Sequence, residues 1–303
     1  MRKFRSLLGA VSFLAASGMA AHADVIVAAN SAAFGNGPIG AFNFTTGSPV
    51  NSFVPDGAFD SNNGRGLAMT LDRYFYTELL GGFGATDMIR IAPYNNGLGG
   101  ADIGSFANPA PGQGVQALAF GAAGLYVLTG YPNSTPTVWV LNGVTGALVG
   151  GPITLQGADP GMDGFTVLPD GSFLGNLGDA LNQYTHWDAT GTNTGNNFSV
   201  PNCGGATGVD IAPDGGSLYF MCDFGSFVQT DFLGNFIAKI DAPGGAWEDI
   251  AIQQQFVCTD PNGCVPDDGE EQHQTLTVAP DPRVHATHVE LEQAFAFYRE
   301  VEG

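Results

Sequence analysis

A polar side chain occupies the third position of a seven-residue pattern that occurs five times in the chain. The five residues are Arg65, Gln116, Asp163, Thr207 and Glu248. Asp163 and Glu248 could form an acid/base pair or bind a cation, because carboxyl groups serve in both roles. Arg65 could hold a carboxylate or polarise a carbonyl group, and Gln116 and Thr207 could orient a ligand. If the copies converge in space, this third-position column predicts one ligand site.

The column also has a simpler interpretation, because water can satisfy polar groups at the entrance of a channel.

Trp247, next to Glu248, could stack on a sugar or another flat group, although core packing is the more ordinary role of a tryptophan. Asp159, Asp210 and Asp249 stand near the column and could complete a carboxylate cluster for calcium. No cofactor is firmly implied, because the chain has no Asp-x-Asp-x-Asp-Gly loop.

Other signatures of chemistry are weak or missing. The sequence lacks the His-Glu-x-x-His pattern of zinc peptidases, the Gly-x-Ser-x-Gly pattern of serine hydrolases and the glycine-rich loop that cradles phosphates. His285 and His288 are one helical turn apart and could bind a metal with His273, but a fourth ligand at a suitable spacing is missing.

The seven-residue pattern is typical of a strand with one buried face. Its fifth and seventh positions are large and apolar in every copy, and its first position is usually glycine. The copies start at residues 63, 114, 161, 205 and 246, so they are 41 to 51 residues apart. That spacing fits four short strands per repeat. The pattern therefore predicts an all-β fold, a β-propeller in which each copy is the innermost strand of one blade.

The two ends of the repeat array are incomplete in complementary ways. Residues 25–54 match the second, third and fourth strands of a blade, whereas residues 246–252 match a first strand with no blade behind it. Pairing these N- and C-terminal strands makes four continuous blades and one composite blade, five four-stranded blades in all. It also closes the ring, which removes exposed sheet edges. A sixth blade within the tail is the alternative.

Turn signals support this repeat. Pro169-Asp170-Gly171-Ser172-Phe173 and Pro213-Asp214-Gly215-Gly216-Ser217-Leu218-Tyr219 each follow a copy of the pattern. With these segments, the chain resembles the secreted bacterial β-propellers of the NHL-repeat and lactonase-like group over residues 24–252. The resemblance is one of architecture, so it implies the fold and implies neither an activity nor site residues.

The first 23 residues predict a secretory signal peptide. Arg2, Lys3 and Arg5 precede an apolar run over residues 7–16, and Ala23 ends a small-residue cleavage site. The mature protein is expected to be secreted or periplasmic without a transmembrane anchor, because no later apolar stretch reaches roughly 20 residues. The formal net charge of −20 excludes nucleic acid as a favoured partner, because phosphate is repelled.

Four cysteines suit an exported protein in which disulfides persist. Cys203 and Cys222 flank the fourth copy and its returning strand, and Cys258 and Cys264 bracket a turn-forming stretch, so we expect two disulfides. Zinc is the alternative, but no Cys-x-x-Cys spacing occurs.

Residues 253–303 are predicted to form an acidic tail. Asp281-Pro282 predicts the start of an amphipathic helix that runs to Glu302. Its apolar face would comprise Val284, Leu291, Ala294, Phe295, Tyr298 and Val301.

The function that these features favour is that of an exported, monomeric binding or scaffold propeller. Its ligand would be an extracellular small molecule or polymer, with carbohydrate as the leading class. The alternative is a propeller hydrolase or lyase that uses Asp163 and Glu248, with or without a divalent cation. The third hypothesis is a purely structural matrix protein.

Overall fold

The computed structural model describes residues 25–30, 39–43, 45–53, 66–77, 88–94, 102–131, 133–178, 182–212, 215–244, 246–254, 256–260 and 263–266. The chain divides into two units, Met1–Pro266 and Asp267–Gly303. The predicted signal peptide and the predicted tail helix lie outside the described residues.

The regular elements among the described residues are β-strands, and twenty of them form five antiparallel sheets of four strands. The first described strands are β1 (Val25–Asn30), β2 (Ile39–Asn43) and β3 (Pro49–Phe53). The first sheet contains β4 (Leu67–Met69), β5 (Arg73–Thr77), β6 (Met88–Pro93) and β7 (Gly104–Ala107). The second contains β8 (Gly114–Gly121), β9 (Gly124–Tyr131), β10 (Thr137–Leu141) and β11 (Leu148–Thr154).

The third and fourth sheets repeat this order. The third sheet contains β12 (Phe165–Val167), β13 (Phe173–Asn176), β14 (Tyr184–Trp187) and β15 (Asn193–Phe198). The fourth contains β16 (Ala206–Ile211), β17 (Leu218–Cys222), β18 (Ser226–Thr230) and β19 (Phe236–Asp241). The last described strands are β20 (Trp247–Ile252), β21 (Phe256–Asp260) and β22 (Gly263–Pro266).

The fifth sheet is a composite of the two ends of the repeat array. Its strand order is β20-β1-β2-β3, and β20 pairs antiparallel with β1, with Ile252 opposite Ile26 and Ile250 opposite Ala28. The predicted pairing of the N- and C-terminal strands is therefore confirmed.

The five innermost strands contact one another in a cycle. β4 contacts β8, β8 contacts β12, β12 contacts β16, β16 contacts β20, and β20 contacts β4. Sheets that radiate from such a cycle form a propeller arrangement. The predicted all-β class and the propeller arrangement are confirmed.

Five buried hydrophobic clusters fill the spaces between successive sheets, and each cluster draws residues from two of them. Between the first and second sheets, Phe75 stacks on Phe120 with ring centroids 5.8 Å apart. Between the fourth and composite sheets, Phe227 meets Phe42 edge-on at 5.4 Å. Packing between the faces of neighbouring sheets therefore supplies the core.

Some innermost strands are shorter than the seven-residue pattern. β12 covers only the last three positions of the third copy. The reason lies in Asn176, whose Oδ1 accepts hydrogen bonds from the backbone N–H groups of Asp163 and Gly164. Because these two donors bind a side chain, the regular pairing begins only at Phe165.

The covalent and peripheral features agree in part with expectation. Cys203 and Cys222 form a disulfide, as predicted. β21 pairs with β22 in a hairpin, with Val257 opposite Val265. Cys258 and Cys264 lie on these two strands, and their disulfide stays a prediction.

The described part of the chain contains no helical segment with the length and hydrophobicity needed to cross a membrane.

Candidate functional site

Four of the five side chains in the third-position column are buried. The exposed fraction is 0% for Gln116, 1% for Asp163, 3% for Thr207 and 6% for Glu248. Arg65 lies outside the described residues. The four described members therefore sit inside the protein and do not form an open polar rim. Ligand binding by the column stays a prediction.

Gln116 and Thr207 use their polar atoms to join neighbouring sheets. The Nε2 atom of Gln116, on β8, donates hydrogen bonds to the carbonyl oxygens of Pro160 (2.6 Å) and Met162 (2.8 Å), which lead into β12. The Oγ1 atom of Thr207, on β16, donates to the carbonyl oxygen of Glu248 on β20. These side chains thus connect the second sheet to the third and the fourth sheet to the composite sheet.

Asp163 is held by Asn176, a residue that the sequence analysis did not single out. The Nδ2 atom of Asn176 donates to Oδ1 of Asp163 and, at 3.0 Å, to the carbonyl oxygen of Gly178. The Asn176 side chain is itself fully buried at the end of β13. A single asparagine therefore fixes both the carboxyl group and the backbone of Asp163.

Asp210 makes the most extensive connection between sheets. Its Oδ1 atom accepts a hydrogen bond from Oγ1 of Thr166 on β12 at 3.0 Å. Its Oδ2 atom accepts one from the backbone N–H of Ile252 on β20 at 2.7 Å. Burial raises the pKa of Asp210 to about 6, and these hydrogen bonds oppose the increase.

Asp249 makes a similar connection between the composite sheet and the first sheet. Its Oδ2 atom accepts hydrogen bonds from the backbone N–H groups of Gly66 and Leu67, both at 2.9 Å. Burial raises the pKa of Asp249 well above its ordinary value, and the charge of Asp163 raises it further. Both carboxyl groups are buried, with exposed fractions of 1% for Asp163 and 3% for Asp249.

The other candidates for cation or sugar binding have local partners. Asp159 is exposed and accepts a hydrogen bond from the backbone N–H of Gly161 at 2.6 Å, as in a turn. The Nε1 atom of Trp247 donates to the carbonyl oxygen of Ala242 at 3.0 Å, and its ring packs in the core. Within the described ranges, no group of three or more His, Cys, Asp or Glu residues has an arrangement that could hold a metal ion.

A groove lies between the third and fourth sheets, at the turns that follow β12 and β16. We call it the rim groove, and its volume is about 690 Å³. Its apolar lining includes Leu168, Leu174, Phe198, Leu218, Phe232 and Leu233. Its polar side chains are Asp170, His186, Asn196 and Asn197. The groove is thus at the opposite end of β12 from Asp163, and the sequence analysis did not predict it.

The wall of the rim groove contains Asp170 and His186, with Ser172 between them. The Oγ atom of Ser172 donates to Oδ1 of Asp170 at 2.5 Å and lies 2.8 Å from Nε2 of His186. A hydroxyl group has one proton, so Ser172 accepts a hydrogen bond from His186 while it donates to Asp170. The histidine therefore donates to the hydroxyl group instead of removing its proton, which differs from the serine–histidine pair of a serine hydrolase.

The charge of Asp170 is favoured by its surroundings. The side-chain hydrogen bond from Ser172, followed by the backbone hydrogen bond from the same residue, lowers the pKa of Asp170. Asp170 is exposed. The rim groove therefore has a carboxylate at its wall at neutral pH.

A smaller cavity of about 250 Å³ adjoins the rim groove. We call it the inner cavity, and its lining includes Phe120, Ala122, Tyr126, Val167, Ile211 and Gln254. Gln254 follows β20, and its Nε2 atom donates to the carbonyl oxygen of Ile211 at 2.9 Å. The two cavities share Leu168, Pro169 and Gly215 in their walls. They therefore lie side by side on one face of the protein.

The fold and these cavities define an all-β protein with a propeller arrangement and a mostly apolar groove. No protein-family model and no curated protein matches the chain. Among solved structures, the chain is similar to a putative 6-phosphogluconolactonase from Bacteroides uniformis ATCC 8492. The sequence identity is 14% and the TM-score is 0.42, over 80% of this chain and 82% of that chain. A likeness at this level supports no inference about activity.

Proposed function

We propose that the protein is an exported, five-bladed β-propeller that acts by binding a ligand in the rim groove. Five four-stranded sheets, the cycle of innermost strands and the pairing of β20 with β1 support the closed five-bladed ring. The leader sequence and the Cys203–Cys222 disulfide support export, because disulfides persist in oxidising compartments.

The observation that carries the binding role is the exposed apolar surface at the rim groove. Phe232 is 37% exposed and Leu233 is 80% exposed, and both lie beside a lining of buried leucines. An apolar groove with a few polar groups at its wall is the usual form of a binding site. Exposed apolar patches in such a setting mark surfaces that a partner covers.

Two arrays test the binding role, one of neutral oligosaccharides and one of synthetic peptides. The groove variant is Phe232→Ser/Leu233→Ser. The matched control is Phe236→Ser/Ile237→Ser, because these residues are 45% and 50% exposed on β19 and do not line the groove. We expect a ligand that binds the wild type and the control but binds the groove variant about tenfold more weakly. If no ligand of either array depends on the groove, the proposed function is wrong.

A hydrolase or lyase that uses Asp163 and Glu248, with or without calcium, is the second candidate. The observation that favours it is the burial of these two side chains, which are 1% and 6% exposed, because catalytic carboxyl groups often lie in buried positions that shift their pKa. Its test is the release of reducing ends from the same oligosaccharides, with and without millimolar calcium. Release by the wild type that Asp163→Asn abolishes would support the enzyme, and no release would leave the binding role.

A further inference from the structure

The rim groove and the inner cavity together form an elongated site. They share Leu168, Pro169 and Gly215 in their walls, so a ligand that spans both would lie against these residues. The outer end lies at Leu233, between the two outer strands of the fourth sheet, and the inner end lies at Gln254, just after the innermost strand β20. We call the combined site the trough. Its shape suits a linear ligand better than a compact one.

The lining of the trough suits aliphatic side chains better than sugar rings. Sugars bind through flat aromatic faces that are open to solvent. Phe198 stacks on Tyr184 at 6.1 Å and meets Phe220 edge-on at 5.9 Å, so its ring is already engaged within the core. Phe232 is 37% exposed, but four leucines line the same groove, so aliphatic side chains outnumber exposed aromatic rings among the described lining residues. Such pockets accept apolar side chains as anchors.

The outermost strand of the third sheet offers side-chain amides in place of a free strand edge. The backbone N–H of Gly195 donates to Oδ1 of Asn193 at 2.8 Å, and that of Asn196 donates to Oγ1 of Thr194 at 3.3 Å. These donors are therefore occupied within β15, which disfavours the addition of a further strand. The exposed carboxamide of Asn196 and the Nδ2 atom of Asn197 line the groove and can contact the peptide groups of a ligand. The Oδ1 atom of Asn197 accepts a hydrogen bond from Oγ1 of Thr185 at 2.7 Å.

The charge of the trough selects against acidic ligands. Asp170 places a carboxylate at the wall, and the described lining residues of the two cavities include no lysine or arginine. The formal net charge of the whole chain is −20, so its wider field has the same sign. A basic group near the apolar anchors would be attracted, and an acidic group would be repelled.

The geometry points to an extended polypeptide segment as the ligand of the trough. It would carry one or two leucine- or phenylalanine-like anchors in the rim groove and a neutral or basic residue beside them, and its chain would reach the inner cavity. This inference rests on the proposed function and names the ligand class of the same site.

The test uses synthetic peptides of about nine residues, which extend to roughly 30 Å, in a serine and threonine background. One or two leucines are placed at varied spacing, together with a lysine, a serine or a glutamate, and binding is measured by fluorescence anisotropy. We expect leucine-containing peptides to bind the wild type and the Phe236→Ser/Ile237→Ser control, and to bind Phe232→Ser/Leu233→Ser about tenfold more weakly. Lysine should tighten binding about fivefold over glutamate at low salt. Asp170→Asn should reduce that preference, because only the wider negative field of the protein remains, and should leave the dependence on leucine.

A further variant tests whether the ligand reaches the inner cavity. Ala122 is exposed in a turn and lines only the inner cavity, so Ala122→Trp should fill that space without disturbing the core. We expect it to weaken peptides of about nine residues and to leave peptides of about five residues unchanged. Equal effects on both lengths would contradict an extended ligand.

The outcomes separate the inference from the proposed function. If neutral oligosaccharides bind in a groove-dependent manner and peptides do not, the binding role stands and the peptide inference is wrong. If neither class shows groove-dependent binding, both are wrong. If peptides bind but glutamate is preferred over lysine, the stated charge of the ligand is wrong.

Discussion

The Oδ2 atom of Asp210 accepts a 2.7 Å hydrogen bond from the backbone N–H of Ile252. This bond joins the fourth sheet to the last innermost strand, β20, which pairs with β1 in the composite sheet. With the bond from Thr166, a single carboxyl group contacts three successive sheets. The cohesion of the ring therefore depends on buried polar side chains as well as on the apolar clusters.

Removal of the Asp210 carboxyl group should destabilise the protein strongly. Asp210→Ala leaves the buried N–H of Ile252 and the hydroxyl of Thr166 without this acceptor, so we expect a loss of about 3 kcal/mol in the free energy of unfolding. Denaturant unfolding at pH 7 measures it. Asp241→Ala, at an exposed position on β19, is the control and should change stability by less than about 0.5 kcal/mol. Equal effects of the two variants would contradict the connecting role.

The pH dependence of stability should also report on Asp210. Its pKa is about 6 in the folded protein and 3.8 in the unfolded chain, so the folded state binds the extra proton between these values. The stability from that proton is fully present below pH 3.8 and is lost as the pH rises through about 6. The size of this contribution is on the order of 3 kcal/mol.

The measurement compares unfolding of the wild type and of Asp210→Asn from pH 4 to pH 8. We expect the wild type to lose more stability than the variant across this range, because the asparagine does not titrate. Asp249 shifts in the same direction and is present in both proteins, so it cancels in the difference. Parallel curves would show that Asp210 has an ordinary pKa.

The variant Gln116→Leu tests whether the third-position column supports the structure or binds a ligand. Gln116→Leu keeps the approximate volume but removes both donors to Pro160 and Met162, so we expect a loss of about 2 kcal/mol in stability. Binding of a groove-dependent ligand should stay unchanged once the variant is folded. A large loss of affinity without a loss of stability would instead support the ligand site predicted from the sequence.

The Cys203–Cys222 disulfide should stabilise the protein because it restricts the conformations of the unfolded chain. The two cysteines are 19 residues apart, and closing a loop of that size contributes about 3 kcal/mol in the chain-entropy model. We expect the double variant Cys203→Ala/Cys222→Ala to lose about this much. The variant Cys258→Ala/Cys264→Ala, measured beside it, tests the second predicted disulfide. If a reductant changes the stability of neither the wild type nor the two variants, both disulfides are contradicted.

The sequence predicted the repeat, the composite sheet and the Cys203–Cys222 disulfide that the structure shows, because alternating apolar residues and turn signals act locally. It did not predict the roles of the polar residues. The third position is polar in every copy, but only the structure shows that Gln116 and Thr207 bond to the next sheet. The rim groove was also missed, because its lining comes from two sheets whose spacing no local pattern encodes. The helical tail lies outside the described residues and stays a prediction.

The residue at the fourth position of the pattern also carries structural information. It is small in four copies, as Gly66, Ala117, Gly164 and Gly208, and is Asp249 in the fifth. A Cβ atom on Gly208 would overlap the carboxyl group of Asp249, and one on Gly164 would overlap the carbonyl oxygen of Thr207. The small residues therefore allow the innermost strands of neighbouring sheets to approach closely.

Close approach at this position predicts a severe effect of one added methyl group. In Gly164→Ala the new Cβ would meet the backbone of the neighbouring strand, which cannot move without separating the third and fourth sheets. We expect a loss of about 3 kcal/mol or more, or a failure to fold. Gly104→Ala on the outermost strand β7 is the matched control, because its Cβ would find only an ordinary contact at 3.9 Å with Ile91. Thermal unfolding of both variants measures the difference, and a stable Gly164→Ala protein would mean that the innermost strands are farther apart than described.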